Sequence, residues 1–326
     1  MAMIEQRELG SSGVRVTRFA LGCAPLGGLY EPVGEASARA TVDEAWRLGV
    51  RTFDTAPHYG AGVSELRLGA ALRERPREEL VLSTKVGRVL EEPGTTPPAS
   101  MFAEDSGLER RFDFSADGVR RSLEDSLGRL GLDRADVVHV HDPDDHLEEA
   151  IASALPALAA LRDEGVIGAI GAGVNAVAPL LRIVREADVD CILLAGRHTL
   201  LDHGASAELL PLCLERRVSV IAAGVLNSGV LADPRDGATF DYAPASAAVL
   251  ERARRIGAVC ARHGVALPVA ATAFPLRHPA VACVLVGARS PREVADDVDG
   301  VLRALPDELW ADLVSAGLLP EHAVAA

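Results

Sequence analysis

Aromatic side chains are scarce in this chain, at 4% of 326 residues, and only three of them are tyrosines. Stacking platforms for a flat ring or a sugar are therefore few. Basic runs are missing too: Lys and Arg total 33 against 47 Asp and Glu, for a net charge of −14. Phosphate binding needs clustered cations, so no nucleic-acid partner is expected. No apolar run approaches the roughly 18 residues of a membrane span, and "MAMIEQRELG" at the N-terminus has no apolar signal core. The expectation is no membrane association and a cytoplasmic location. Five cysteines, Cys23, Cys191, Cys213, Cys260 and Cys283, lie far apart without a CxxC. An odd number in apolar surroundings reads as reduced core thiols in a reducing compartment. No GxGxxG follows the first β-rich run, which counts against an open dinucleotide-binding sheet.

What is present is alternation. Short β-rich runs, "VTRFALG", "VRTFDT", "ELVLSTK", "ADVVHVH", "VIGAIGAG", "VDCILLA", "VSVIAAG" and "VACVLVGA", are each followed by a helical pattern. Eight such units predict a closed parallel (β/α)8 TIM barrel. It is expected to span residues 1–326 as one domain, since Pro and Gly punctuate loops and form no linker. "RELGSSGVRV" reads as an N-terminal β-hairpin that plugs the barrel floor. The connections after strands three and seven are long. Both leave the C-terminal strand ends, where barrel enzymes carry their chemistry.

At those ends stand residues that a hydrophobic core would not select. Strand two ends at Asp54, with Tyr59 close behind in "DTAPHYG"; strand three ends at Lys85 and strand four at His141. Buried Asp and Lys are rare unless paired, so Asp54 and Lys85 are expected to neutralise one another. In "DVVHVHDPDD" the strand period aims His139 and His141 the same way. Two histidines on one strand suit a metal hydrolase, but such a site needs further ligands. Strands five, six and seven end "GAGVN", "LLAG" and "AAGV", which supply none, so no metal is expected. His139 is then a core histidine satisfied by a neighbour.

"FDTAPHYGAGVSELRLGAAL", "STKVGR" and "DVVHVHDPDD" together resemble the aldo-keto reductase family, in particular its aldose 1-dehydrogenase branch. The resemblance continues through "LLAGRHTLLD", "NSGVLA" and "VLVGARSPREV". It implies a catalytic tetrad of Asp54, Tyr59, Lys85 and His141. A phenol with a pKa near 10 is a poor base at neutral pH. A neighbouring ammonium held by Asp54 is expected to lower that value, and His141 to orient the substrate oxygen. The resemblance also implies a nicotinamide cofactor, carried by Asn175 at the end of strand five and by Leu226, Asn227, Ser228 and Gly229 after strand seven. Gly287, Ala288, Arg289 and Ser290 would complete the cleft at the end of strand eight, the fold's usual phosphate site. Ser290 reads as a helix N-cap with Glu293 in the capping-box position.

Three departures from the family pattern touch the nicotinamide pocket: Val174 replaces a common serine, Ala222 to Gly224 replace a stacking aromatic, and His198 replaces a tyrosine. Glu293 occupies the position of a family cation that binds a 2′-phosphate, with Asp296 and Asp297 one turn on. NAD is therefore the expected cofactor and NADP a possible one, with Arg289 and Arg292 pulling towards the phosphate. His58, Tyr59, Met101, Phe102 and His141 are the expected substrate-facing residues. The reaction the resemblance implies is oxidation of the anomeric hydroxyl of a sugar lactol to a lactone. Other readings stay open: another alcohol or aldehyde, such as pyridoxal or a specialised-pathway carbonyl; a carbonyl-reducing detoxification enzyme; a non-catalytic redox-sensing module.

Overall fold

The computed structural model describes residues 4–94 and 100–324. Residues 95–99, inside the expected long loop after strand three, lie outside the described part, as do the first three and last two. Eight parallel strands close into a barrel in chain order: β1 (Phe19–Gly22), β2 (Thr52–Asp54), β3 (Val81–Val86), β4 (Ala135–His141), β5 (Ile167–Val174), β6 (Cys191–Ala195), β7 (Ser219–Ala223) and β8 (Val281–Gly287). β8 pairs β1, with Gly287 opposite Gly22, and so closes the ring.

The strands are largely buried on both faces because one faces the barrel interior and the other the helices. The helices that cover it include α1 (Glu35–Arg47), α2 (Val63–Leu72), α3 (Ala116–Leu130), α4 (Leu155–Asp163), α5 (Val177–Glu186) and α6 (Leu209–Arg216). Three more follow in the last third: α7 (Ala247–Arg262), α8 (Leu267–Ala273) and α9 (Pro291–Leu302). α3 shows how sequence sets the ends. Ser115 caps it by accepting the Gly118 N–H, and Gly131 stops it at φ 64°, a left-handed conformation that glycine adopts without steric cost.

The hairpin of Gln6–Glu8 and Arg15–Thr17 forms as the sequence suggests. Its turn drives Leu9 and Val16 into an apolar cluster with Val137, Ala169, Cys191, Ile221 and Cys283, which seals the floor. The "VTRFALG" run is therefore two strands, the hairpin's second and β1, with Arg18 between them. The Arg18 guanidinium donates to the Val281 carbonyl (2.7 Å) and to the Leu276 carbonyl (3.0 Å).

The connection after β3 is not plain loop. Arg88–Glu91 pairs antiparallel with Glu109–Phe112. The connection after β7 carries a shorter ladder, Thr239–Phe240 with Ala243–Pro244. A further helix, Asp307–Ser315, packs Leu309, Trp310 and Leu313 against the apolar side of α7 and α8. All five cysteines are buried as free thiols. No single helix among the described residues is long and apolar enough to cross a membrane.

Candidate active site

Ser83 and Lys85 are two apart on β3, so they share a face, and both turn to Asp54 at the end of β2. The Lys85 ammonium donates to Asp54 Oδ2 at 2.6 Å and to the Thr55 carbonyl at 2.9 Å. Ser83 Oγ donates to the other carboxylate oxygen at 2.7 Å. Lys85 is 1% exposed and Asp54 3%, so each charge is compensated inside the protein, as the composition argument requires. Burial works to lower the Lys85 pKa, but Asp54 and Tyr59 outweigh it and hold the group above its ordinary value as a firm cation.

Tyr59 sits in the turn between β2 and α2. The turn is pinned by the Tyr59 N–H on the Ala56 carbonyl (3.1 Å) and by the Ser64 N–H on the Tyr59 carbonyl (3.2 Å). A Cβ at Gly27 would lie 2.7 Å from the Tyr59 carbonyl carbon, so only glycine lets the loop after β1 pass this close. The Lys85 ammonium lies 4.8 Å from the Tyr59 ring centroid. The expected lowering of the phenol pKa does not result. Burial pushes it up to about 12 and Lys85 only partly offsets this, because the phenolate loses more solvation than one ammonium restores.

His141 closes the group, edge-on to Tyr59 at 5.9 Å between ring centroids and 89° between planes. Its pKa lies well below the usual value, first through burial and then through Lys85 and Arg88, so the ring is neutral. Nδ1 is buried with no partner among the described residues, whereas Nε2 faces Asp142 Oδ2 at 3.5 Å. That carboxylate favours the tautomer with its proton on Nε2. His139, expected to be satisfied by a neighbour, is not: neither ring nitrogen has a partner among the described residues. The ring is fully buried against Gly171 and neutral, its pKa lowered to about 3 by burial and by Lys85.

Of the substrate-facing candidates, His58 and Phe102 lie at the mouth. Their rings meet edge-on at 5.3 Å, with His58 5.8 Å from His141 and Phe102 6.0 Å from Tyr59. Met101 does not join them. The residue is 49% exposed, its carbonyl held by the Tyr30 N–H (3.1 Å).

The cofactor candidates line the far side of the mouth. Asn227, Ser228 and Gly229 take three successive positive φ values, 46°, 57° and 104°. The amides of Asn227 and Gly229 are used within the turn, on the Gly224 and Leu226 carbonyls. Those of Leu226 and Ser228 have no acceptor among the described residues, so the cradle is narrower than the sequence suggested. Asn227 Oδ1 is buried without a donor. The two free amides suit an anion and the free Oδ1 a donor, a combination that a dinucleotide offers.

Ser290 caps α9 as expected, its Oγ accepting the Glu293 N–H at 3.3 Å. The reciprocal bond departs from a capping box: Glu293 Oε2 accepts the Arg289 N–H at 2.8 Å, one residue earlier. Arg289 is engaged by Glu31 at 2.7 Å and by Glu293 at 3.4 Å. Asp297, behind them, has its pKa raised to about 7 by burial and by the Glu293 and Asp296 charges.

Sequence reasoning missed three contributors. Ser83 holds the second Asp54 oxygen, and its i,i+2 spacing from Lys85 was a readable signal. The other two are Tyr30 and Tyr242: with Tyr59 they bring all three tyrosines of the chain to the mouth. The Tyr30 phenol lies beside Ser228 and the Tyr242 phenol beside Asn175, and the Tyr242 N–H donates to Ser228 Oγ (3.1 Å), so the connections after β1 and β7 meet over the cleft. Arg197 anchors the second of these through Asp241 (2.8 Å) while donating to the Asn175 carbonyl (2.7 Å). No group of three or more His, Cys, Asp or Glu among the described residues is arranged to hold a metal ion.

The model of the aldo/keto reductase family matches residues 18–317. The chain belongs to that family. It is 41% identical over 318 residues to a D-threo-aldose 1-dehydrogenase of a Pseudomonas species, across 95% of this chain and 97% of the relative. It is 44% identical over 338 residues to the pyridoxal 4-dehydrogenase of Microbacterium luteolum, across 97% and 98%. Among solved structures it resembles the holo form of an aldo-keto reductase from Bacillus halodurans, with TM-score 0.78 and 26% identity, covering 98% of this chain and 99% of that one. This aldo/keto reductase is thus a nicotinamide-dependent oxidoreductase on a TIM barrel.

Proposed function

We propose that this aldo/keto reductase oxidises the anomeric hydroxyl of an aldose lactol to a lactone, with NAD as the preferred cofactor. The observation that carries the chemistry is the buried Asp54–Lys85 pair under the Tyr59 ring, with the neutral His141 ring at right angles beside it. The likeness to an aldose 1-dehydrogenase supports the substrate class.

When bound, the nicotinamide supplies the carbon that accepts or returns the hydride, and its oxidised ring adds positive charge at the mouth. The free Leu226 and Ser228 N–H groups would hold its pyrophosphate side, Asn227 Oδ1 would accept from one of its donor groups, and Asn175 would hold its carboxamide. Within the chain, Lys85 stabilises Tyr59 as phenolate, and the phenolate takes the proton from the anomeric oxygen as the hydride leaves the anomeric carbon. One C–H and one O–H bond break, and the C=O of the lactone forms. His141 donates its Nε2 proton in a hydrogen bond to the same oxygen and so turns the single anomeric hydrogen towards the cofactor. In the reverse direction Tyr59, protonated at neutral pH, is the acid.

The preference for NAD rests on charge. Glu293, Asp296 and Asp297 gather where a 2′-phosphate would lie, and Arg289 is already compensated by two carboxylates. The second reading is oxidation of pyridoxal, favoured by the likeness to a pyridoxal 4-dehydrogenase. A panel of aldoses, pyridoxal and simple alcohols with NAD or NADP, followed by reduced-nicotinamide absorbance, tests both. Turnover of aldoses at rates above those of simple alcohols supports the first. Turnover of pyridoxal with no aldose oxidised overturns it.

A further inference from the structure

The mouth contains a charged pair, Asp142 and Arg88, that takes no direct part in the hydride and proton transfers. Asp142 follows His141 at the end of β4 and turns back over the site with φ 45°, a left-handed conformation that Asp tolerates better than most residues. Its N–H is tied to the Gly173 carbonyl at 3.0 Å, which fixes the turn. Its Oδ2 accepts from Arg88 Nη2 at 2.8 Å and lies 3.5 Å from His141 Nε2, while Oδ1 has no donor among the described residues. Arg88 is held from below by the face of Phe112, 4.5 Å from the ring centroid, and its Nε is buried without an acceptor. The carboxylate is 31% exposed and the guanidinium 16%. An ion pair so placed, with one carboxylate oxygen beside the nitrogen that meets the reacting oxygen and the other without a protein donor among the described residues, has the form of a reader of hydroxyl groups.

We propose that Asp142, steadied by Arg88, recognises the hydroxyl on the carbon next to the reacting one, and so selects 2-hydroxy aldoses. This rests on the aldose reading given above. The geometry is a closed four-membered circuit. The anomeric oxygen sits one hydrogen bond from His141 Nε2. A vicinal hydroxyl oxygen lies about one hydrogen-bond length from the anomeric oxygen and donates to the Asp142 carboxylate. The 3.5 Å between Nε2 and Oδ2 completes the circuit without strain. Asp142 accepts the 2-hydroxyl proton and Arg88 keeps the carboxylate ionised and aimed. A substrate without that hydroxyl leaves a desolvated carboxylate short of a donor, and this penalty, more than the lost bond, carries the selectivity. The 3-oxygen of pyridoxal, when ionised, offers no proton and would be repelled by Asp142.

The test compares kcat/KM for a pentose and its 2-deoxy counterpart, with pyridoxal as a third substrate, in the wild type and in Asp142→Gly. Glycine keeps the left-handed turn at this position, so the variant retains the fold. The wild type should favour the 2-hydroxy sugar by about tenfold or more, mostly in KM, the size expected of a hydrogen bond to a charged acceptor. In Asp142→Gly the ratio should collapse towards one. A wild-type ratio near one, or a ratio that survives in Asp142→Gly, overturns the assignment of Asp142 while leaving sugar oxidation standing. Turnover of pyridoxal with neither sugar oxidised overturns the aldose reading and this one with it.

Discussion

Both oxygens of the Asp54 carboxylate are engaged by side chains of one strand: Oδ2 by Lys85 at 2.6 Å and Oδ1 by Ser83 at 2.7 Å. The acid is therefore saturated, and its role is to place a cation under Tyr59.

Replacing Lys85 by Met leaves Asp54 buried without its cation and the phenol without its stabilising charge. Oxidation should fall by about 10²-fold or more, and stability by several kcal/mol, since breaking a buried pair typically costs ~3–5 kcal/mol. Tyr59→Phe should abolish turnover equally while leaving melting temperature and cofactor affinity near wild type. Steady-state rates, fluorescence titration of cofactor and thermal melts separate the two. More than about a tenth of wild-type activity in Tyr59→Phe would remove the phenol from the mechanism.

Stability should decline on the acid side from near pH 6.5. His58, His139 and His198 have folded pKa values of about 3, and His203 of about 4, in each case lowered first by burial. Their unfolded pKa is near 6.5, so below it the unfolded chain binds more protons. The stabilisation is complete above pH 6.5 and is lost as pH falls towards 3–4, by up to about 1.4 kcal/mol per pH unit for each histidine. Denaturant melts between pH 4 and 8 measure this slope; a flat profile would contradict it.

His139 offers a sharper version of the same experiment. Both ring nitrogens are buried without partners, so an apolar ring forfeits no hydrogen bond there. His139→Phe should keep kcat within about threefold, because the residue makes no contact the proton transfer needs. The variant should also lose less stability than the wild type between pH 6.5 and 4. Loss of turnover as complete as in His141→Ala would instead place His139 in the reaction.

The cofactor preference and the cap of α9 can be separated. Glu293→Gln keeps an acceptor for the Arg289 N–H and removes the charge, whereas Glu293→Arg removes both. The wild type should favour NAD by about tenfold, a difference of ~1.4 kcal/mol. The Gln variant should narrow that ratio at unchanged melting temperature. The Arg variant should move it further towards NADP and lower stability by about 1 kcal/mol, the usual loss for a missing cap. A ratio unmoved by either substitution would leave Glu293 as a cap alone.

The barrel was legible in the sequence because its signal repeats: eight apolar runs, each followed by a helix, leave little choice of topology. The Asp54, Lys85 and His141 positions were legible for a local reason, being polar residues at the ends of otherwise apolar strands. What escaped depended on contacts between distant segments. The hairpin after β3 has strands rich in Arg and Glu, without the alternation that marks a half-buried strand. The Tyr30 and Tyr242 arms are 212 positions apart, 242 minus 30, and meet only when the ring closes. The rise in the Tyr59 pKa needed a degree of burial that spacing does not report.

Ring closure also sets the order in which the protein can become itself. Arg18 reaches across 263 positions to the Val281 carbonyl, and the Gly10 N–H reaches 209 to Ser219 Oγ. The floor plug is made before the barrel, yet Ile221 and Cys283, which it packs against, are made much later. Until β8 emerges, Leu9 and Val16 have only part of their cluster, and the catalytic mouth has no opposite wall. Such long sequence separations mark a slow folder. A nascent chain halted before β8 would expose an apolar interior and bind no cofactor, so the site cannot assemble until the last barrel strand has been made.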